Sequence, residues 1–229
     1  MEVEYFGHSC FSFLSSKNIK IVIDPYDNRI NKELPDDLKA DIVLLTHEHF
    51  DHSAYRGIKG DPRILKRTGD FHVKHEIPFL HRNEYLIFDG IPSFHDKEKG
   101  KLKGPNTIFY WLMDGLFICH LGDLGHLLTN DQLKLLPIVD VLCIPVGGGI
   151  TINSAEATLV IDQLKPKYVF PMHYKIPEIE SKNLATDILD DFLIKMVDIE
   201  TVEGNKINIS KDDLPKAPRV IVFKNEQTN

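Results

Sequence analysis

The sequence predicts one α+β domain of stacked sheets and helices spanning residues 1–229, and three observations carry that prediction. Strand-like apolar runs fill the first quarter of the chain and recur near its end. After residue 128 the pattern switches to alternating helix and strand. Between these regions, His47-Glu48-His49-Phe50-Asp51-His52 directly follows the β-branched run Asp41 to Leu45. A polar motif at the end of a buried strand is where α/β folds place their chemistry.

Val3 to Phe6, Cys10 to Leu14 and Lys20 to Pro25 read as the first strands, and a polar segment from about Asn28 to Lys39 joins them to the motif strand. From 53 to 95, Gly57, Gly60, Pro62, Gly69 and Pro78 punctuate short runs such as Tyr85 to Phe88, so strands are expected there more than helices. Thr107 to Leu112 and Leu116 to His120 form a hairpin about Asp114-Gly115, a dipeptide that supplies the positive φ such turns prefer. Thr129 to Gln132 is a capping-box start for a short helix through Leu136, and Asn153 to Glu156 is another for a helix through about Lys165. Val139 to Val146 and Tyr168 to His173 read as buried strands. Leu184 to Met196 has helical spacing, and strands follow near Lys206 to Ile209 and Arg219 to Phe223.

The apolar share of 42% and charged share of 27% are ordinary for a globular chain. A net charge of −7 argues against sequence-independent nucleic-acid binding. Cys10, Cys119 and Cys143 all sit in apolar runs, an odd count without disulfide spacing, so buried thiols in a reducing cytosol are expected. Met1 to Tyr5 lacks a basic region before an apolar run, so no signal peptide is expected, and no apolar stretch has membrane-spanning length.

The three imidazoles and the Asp51 carboxylate within the six positions from His47 to His52 offer the nitrogen and oxygen ligands of zinc and similar metals. A complete site needs partners from elsewhere. His95, Asp123 and His173 each follow an apolar run, at the ends of three separate strands. In chain order, Asp24, the His47-x-His49-x-Asp51-His52 run, His95, Asp123 and His173 resemble the five motifs of the metallo-β-lactamase fold, over residues 1 to about 225. Gly7-His8-Ser9, Gly122-Asp123-Leu124-Gly125-His126 and Pro145-Val146-Gly147-Gly148-Gly149 further resemble one branch of metal-dependent hydrolases. That branch is related to ascorbate-6-phosphate lactonases and N-acyl-phosphatidylethanolamine phospholipases.

The resemblance implies a four-layer αββα sandwich with a two-metal site at one edge. It implies that His47, His49 and His95 hold one ion, that Asp51, His52 and His173 hold the other, that Asp123 bridges them, and that Asp24 braces the motif loop from behind. Zinc β-lactamases carry cysteine where this chain has Asp123, and flavin-partnered di-iron relatives carry glutamate where it has His49. Antibiotic hydrolysis and di-iron redox chemistry are therefore disfavoured.

Two divalent ions lower the pKa of bound water from about 15.7 toward 7. The expected reaction is attack by a metal-bridging hydroxide on an ester, lactone or phosphodiester, with Asp51 and Asp123 at the centre. Zinc comes first, while manganese, iron and nickel share the same ligand preferences. Two dications against two carboxylates and one hydroxide leave a net positive centre, which favours a small anionic substrate. Lys97, Lys99, Lys101 and Lys103 after His95, and Gly147, Gly148 and Gly149 before a capped helix, are candidate anion-binding elements. His8 and His126 are candidates to orient substrate or donate a proton. The rival readings are a nuclease or cyclic-nucleotide phosphodiesterase, and a non-catalytic metal-binding or sensing protein. Substrate identity and oligomeric state are not legible in the sequence.

Overall fold

Alternation of apolar side chains along the strands builds two sheets around a shared core. The computed structural model describes residues 1–30, 32–66, 73–79, 84–176 and 185–224. The first sheet contains β1 (Glu2–Gly7), β2 (Cys10–Leu14), β3 (Lys20–Ile23), β4 (Ile42–Leu44), β5 (Arg63–Leu65) and β13 (Lys206–Asn208), in the order β13-β1-β2-β3-β4-β5. The second contains β6 (Val73–Phe79), β7 (Glu84–Phe94), β8 (Pro105–Met113), β9 (Leu116–His120), β10 (Val141–Pro145), β11 (Tyr168–Met172), β12 (Ile199–Glu203) and β14 (Arg219–Lys224). Its order is β12-β14-β11-β10-β9-β8-β7-β6.

Successive side chains on a strand point to opposite faces. Val3, Tyr5, Phe11, Phe13, Ile21, Ile23, Ile42 and Leu44 therefore face the second sheet, meeting Phe88, Phe109, Trp111, Ile118, Cys143 and Phe170. Trp111, fully buried, packs edge-on against Phe13 with ring centroids 5.2 Å apart. Burying one such side chain contributes about 1.5–3 kcal/mol. The outer face of the second sheet, including Leu142, Ile144 and Val169, is covered by α1 (Asn130–Leu135), α2 (Ser154–Leu164) and α3 (Leu189–Leu193). Ala157, Val160 and Ile161 of α2, at helical spacing, face that sheet. Both expected capping boxes are present, at Thr129 with Gln132 and at Asn153 with Glu156.

On the outer face of the first sheet, Phe6, Val22, Val43 and Leu45 are covered by Tyr26, Ile30, Leu38 and Ile58. These come from loops and from 3-10 turns at Asn28–Ile30 and Tyr55–Gly57. Among the described residues that layer holds no α-helix, consistent with Pro25, Asn28, Pro35 and Asp36 interrupting the segment.

Three local features differ from the sequence reading. Helix covers only Leu189–Leu193 of the apolar spacing that follows Leu184, itself outside the described residues. Leu189, Phe192, Leu193 and Met196, at helical spacing, pack against the second sheet, while Ile194 and Val197 lie off that face and are exposed. β12, whose Ile199-Glu200-Thr201-Val202-Glu203 sequence contains no apolar run and buries no residue, adds an edge strand beyond those expected. β6 carries Pro78, which is tolerated because that strand also lies at a sheet edge.

At one end, polar bonds stitch the sheets together. The Thr107 N–H donates to the Thr46 carbonyl (2.9 Å) and the His173 N–H to the His8 carbonyl (2.9 Å). His120 accepts from the Gly122 N–H at Nδ1, so its Nε2 carries the proton and donates to the Ser9 carbonyl at 3.1 Å. All three cysteines are free and buried. Among the described residues no helix is long and apolar enough to cross a membrane.

Candidate metal centre

β3 and β4 run parallel, as do β9, β10 and β11, so the loops leaving each set emerge at a common edge. Asp24 follows β3, the His47 to His52 motif follows β4, His95 follows β7, Asp123 follows β9 and His173 follows β11. His8, Asp24 and His173 each adopt the left-handed conformation, with φ of 53°, 50° and 52°. For residues with a Cβ this is costly, and it persists where surrounding contacts hold it.

Asp24 organises the motif from behind. Its fully buried carboxylate accepts from the Thr46 N–H (2.8 Å), the Thr46 hydroxyl (2.7 Å) and His52 Nδ1 (3.0 Å). Because its proton goes to Asp24, the Thr46 hydroxyl accepts from His47 Nδ1 at 3.0 Å. His95 Nδ1 donates to the Ile150 carbonyl at 2.8 Å. In all three imidazoles an acceptor holds the proton on Nδ1, leaving the Nε2 lone pair free for a ligand.

These lone pairs surround Asp123. Its Oδ2 lies 2.9 Å from His95 Nε2, 3.2 Å from His173 Nε2, 3.3 Å from His52 Nε2 and 3.8 Å from His47 Nε2. Among the described residues, neither Asp123 oxygen has a partner in hydrogen-bond geometry, nor do His47 Nε2, His95 Nε2 and either His173 nitrogen, although all are buried. Unsatisfied buried polar atoms are expensive, each about 1–3 kcal/mol. Converging in one place, they have the donor chemistry of a metal centre. Two groups of donors suit separate ions: His47, His49 and His95 form one, and His8, Asp51, His52 and His173 form the other, each within 4.8 Å of one another.

The electrostatics agree. Burial alone would raise the Asp123 carboxyl pKa, but the His173, His52 and His95 imidazoles outweigh it and hold the group well below the usual carboxylate range. Burial likewise opposes ionisation of Asp51, and His52 and His8 reverse it. Burial pushes the His47 imidazole well down, with His52 adding to the effect. It brings His8 down to about 4, assisted by His173 and opposed by Asp51.

The seven residues expected as ligands and Asp24 converge, and His8 lies among them. His126 does not point its ring nitrogens at this cluster. Its Nε2 accepts from the Phe94 N–H (3.2 Å), and Nδ1 bonds the Leu127 carbonyl (2.7 Å). Its ring lines a cleft with Ile91, Phe94 and Leu135 that includes none of the seven ligands. Lys99, Lys101 and Lys103 are exposed, while Lys97 pairs with Glu156 on α2. The glycine turn is largely committed to the fold. A Cβ on Gly147 would lie 2.0 Å from the His173 carbonyl oxygen, and the Gly148 N–H already donates to Ile152. At the start of α2, Glu156 and Asp187 carboxylates accept from the Asn153 and Ser154 N–H groups.

Three contributors escaped the sequence reading. Thr46 links Asp24 to His47, as above. Asn106, at the start of β8, accepts from the Asp123 N–H (3.1 Å) and donates to the Leu121 carbonyl (2.8 Å). Asp96 accepts from the N–H groups of Glu98, Gly100, Leu102 and Lys103, winding the lysine loop around one carboxylate.

Comparison with known proteins matches residues 2–173 to the profile of the beta-lactamase superfamily domain. The chain is 31% identical over 224 residues to a UPF0173 metal-dependent hydrolase of Thermococcus onnurineus, covering 85% of this chain and 96% of the relative. Its fold superposes with a TM-score of 0.76 on a protein of Thermotoga maritima assigned as a Zn-dependent hydrolase of the metallo-beta-lactamase superfamily, at 32% identity and 97% coverage of both chains. Igni18, a metallo hydrolase of Ignicoccus hospitalis, shares the fold at 22% identity, with a TM-score of 0.59 over 81% of this chain and 93% of its own. The chain therefore belongs to the metallo-β-lactamase superfamily, among its metal-dependent hydrolases.

Proposed function

We propose that this protein is a binuclear metal-dependent hydrolase that cleaves an ester, lactone or phosphodiester in a small anionic molecule. One observation carries the reading: a buried Asp123 carboxylate without a hydrogen-bond partner among the described residues, ringed by imidazole nitrogens at 2.9–3.8 Å. When bound, two divalent ions, zinc first among them, supply Lewis acidity and a water of lowered pKa. The chain's own part is positional. Asp24 and Thr46 keep the protons of His52 and His47 on Nδ1, the Ile150 carbonyl does so for His95, and Asn106 fixes the Asp123 backbone.

Preference for an anion rests on the exposed Lys99, Lys101 and Lys103 of the loop that follows His95 in the chain, rather than on the glycine turn, whose helix start already holds carboxylates. Free, buried cysteines fit a reducing cytosol. The acidic net charge of −7 weighs against a nuclease.

The test is metal analysis followed by a screen of zinc-, manganese- and iron-loaded protein against phosphodiester, lactone, ester and thioester panels, with Asp123→Asn as control. Two ions per chain, and turnover lost in the control, are expected. Tight binding of two ions without turnover on any panel would favour a sensing protein.

A further inference from the structure

His8 stands inside the donor set of the second ion. Its Nε2 lies 3.1 Å from Asp51 Oδ2 and 3.2 Å from His52 Nε2. Zinc–ligand bonds of about 2.0–2.1 Å in a tetrahedral site place neighbouring donor atoms about 3.3–3.4 Å apart. The His8 spacings thus suit ligands sharing one ion. His8 is also held where it is. It is 4% exposed, its φ is 53°, and its carbonyl accepts from the Tyr5 hydroxyl (3.0 Å) and the His173 N–H (2.9 Å). Two hydrogen bonds on one carbonyl fix an unfavourable backbone conformation whose effect is to aim this imidazole at Asp51 and His52.

We propose that His8 is a ligand of the second ion, together with Asp51, His52 and His173. The chain then gives that ion four ligands besides Asp123, while the first has three, His47, His49 and His95. Asp123 Oδ2 stands between the sets, 2.9 Å from His95 on one side and 3.2 Å from His173 on the other. Closed coordination is the mark of a structural ion, and an open position that of a catalytic one. The inference, which rests on the binuclear reading above, is that the first ion receives the substrate and the second anchors the loops and neutralises charge.

Chelator-competition titrations of wild type, His8→Gln and His8→Ala with zinc test this, alongside far-UV circular dichroism. One equivalent should weaken by at least about 10-fold while the other keeps its affinity. Unchanged affinity for both equivalents, or equal weakening of both, overturns the proposal. A His8 that only hydrogen-bonds Asp51 would produce a similar loss, so a crystal structure of zinc-loaded wild type decides between the two, and does so even if the variants misfold. His8 Nε2 at about 2.0–2.2 Å from an ion supports ligation; His8 hydrogen-bonded to Asp51 and away from both ions overturns it. Wild type that binds no zinc sinks the binuclear reading itself, whereas two bound ions without His8 sink only this assignment.

Discussion

Replacing Asp24 by Asn keeps its size and changes one oxygen to an amide, which isolates the role of that oxygen. In the fully buried pocket, Oδ1 faces the Thr46 N–H, so the asparagine oxygen must stay there. The amide nitrogen then takes the place of Oδ2, 2.7 Å from the Thr46 hydroxyl and 3.0 Å from His52 Nδ1. A donor now faces His52 Nδ1, so the imidazole must accept there and carry its proton on Nε2, aimed at Asp123 3.3 Å away. That tautomer cannot ligate a metal through Nε2. Loss of such outer partners lowers metal affinity about 10–100-fold, which is about 1.4–2.7 kcal/mol. Asp24→Ala should be worse for the fold, since it strands three buried donors at about 1–3 kcal/mol each. Chelator competition measures the affinity, and long-range ¹H–¹⁵N imidazole spectra report the His52 tautomer. Wild-type affinity together with an unmoved Nδ1 proton in Asp24→Asn would refute the reasoning.

Four further outcomes are expected. Asp123→Ala should abolish turnover and weaken both ions; retention of wild-type kcat in a metal-loaded variant would remove it from the centre. In metal-free protein, His8 titrates at about 4, below its ordinary 6.5, so the unfolded chain binds the extra proton between those values. Stability should therefore be full above pH 6.5 and fall by about 3 kcal/mol as pH drops to 4, a slope that urea titrations should find flattened in His8→Gln. Gly147→Ala forces a Cβ to 2.0 Å from the His173 carbonyl oxygen, so a loss of about 2 kcal/mol or more should appear as a lowered Tm. Neutralising Lys99, Lys101 and Lys103 together should raise KM for an anionic substrate and spare kcat, since their charges supply uniform binding; an unchanged KM returns them to a solvated loop.

Much of this architecture was readable because its determinants are local. Apolar, β-branched runs marked the core strands, Asp114-Gly115 marked the hairpin, with φ of 50° and 76°, and Thr129 and Asn153 marked the helix starts. The candidate ligand positions stood out because histidine and aspartate recur at the ends of several separate strands. What escaped depends on the third dimension. Asn106 supports Asp123 from a different strand, and Asp96 acts through backbone N–H groups that any residue has. The glycine turn resembled an anion cradle in composition, but its tightness answers to the His173 carbonyl, a neighbour invisible in sequence. The helical spacing read over Leu184 to Met196 is realised as helix only at Leu189–Leu193 among the described residues, although Met196 beyond it still packs on the same cluster.

The polar seam between the sheets has a consequence for how this fold can vary. Core volume sets the spacing of most sandwiches, so a changed side chain between the sheets shifts everything hung on their edges. Here the Thr107–Thr46, His173–His8 and His120–Ser9 bonds set the gap at the ligand end directly, whatever fills the interior beyond them. Thermal tolerance and donor spacing thus become separate variables. A lineage adapting to heat or cold is free to repack Phe13, Trp111 and Phe170 while the loops that carry the chemistry stay in register.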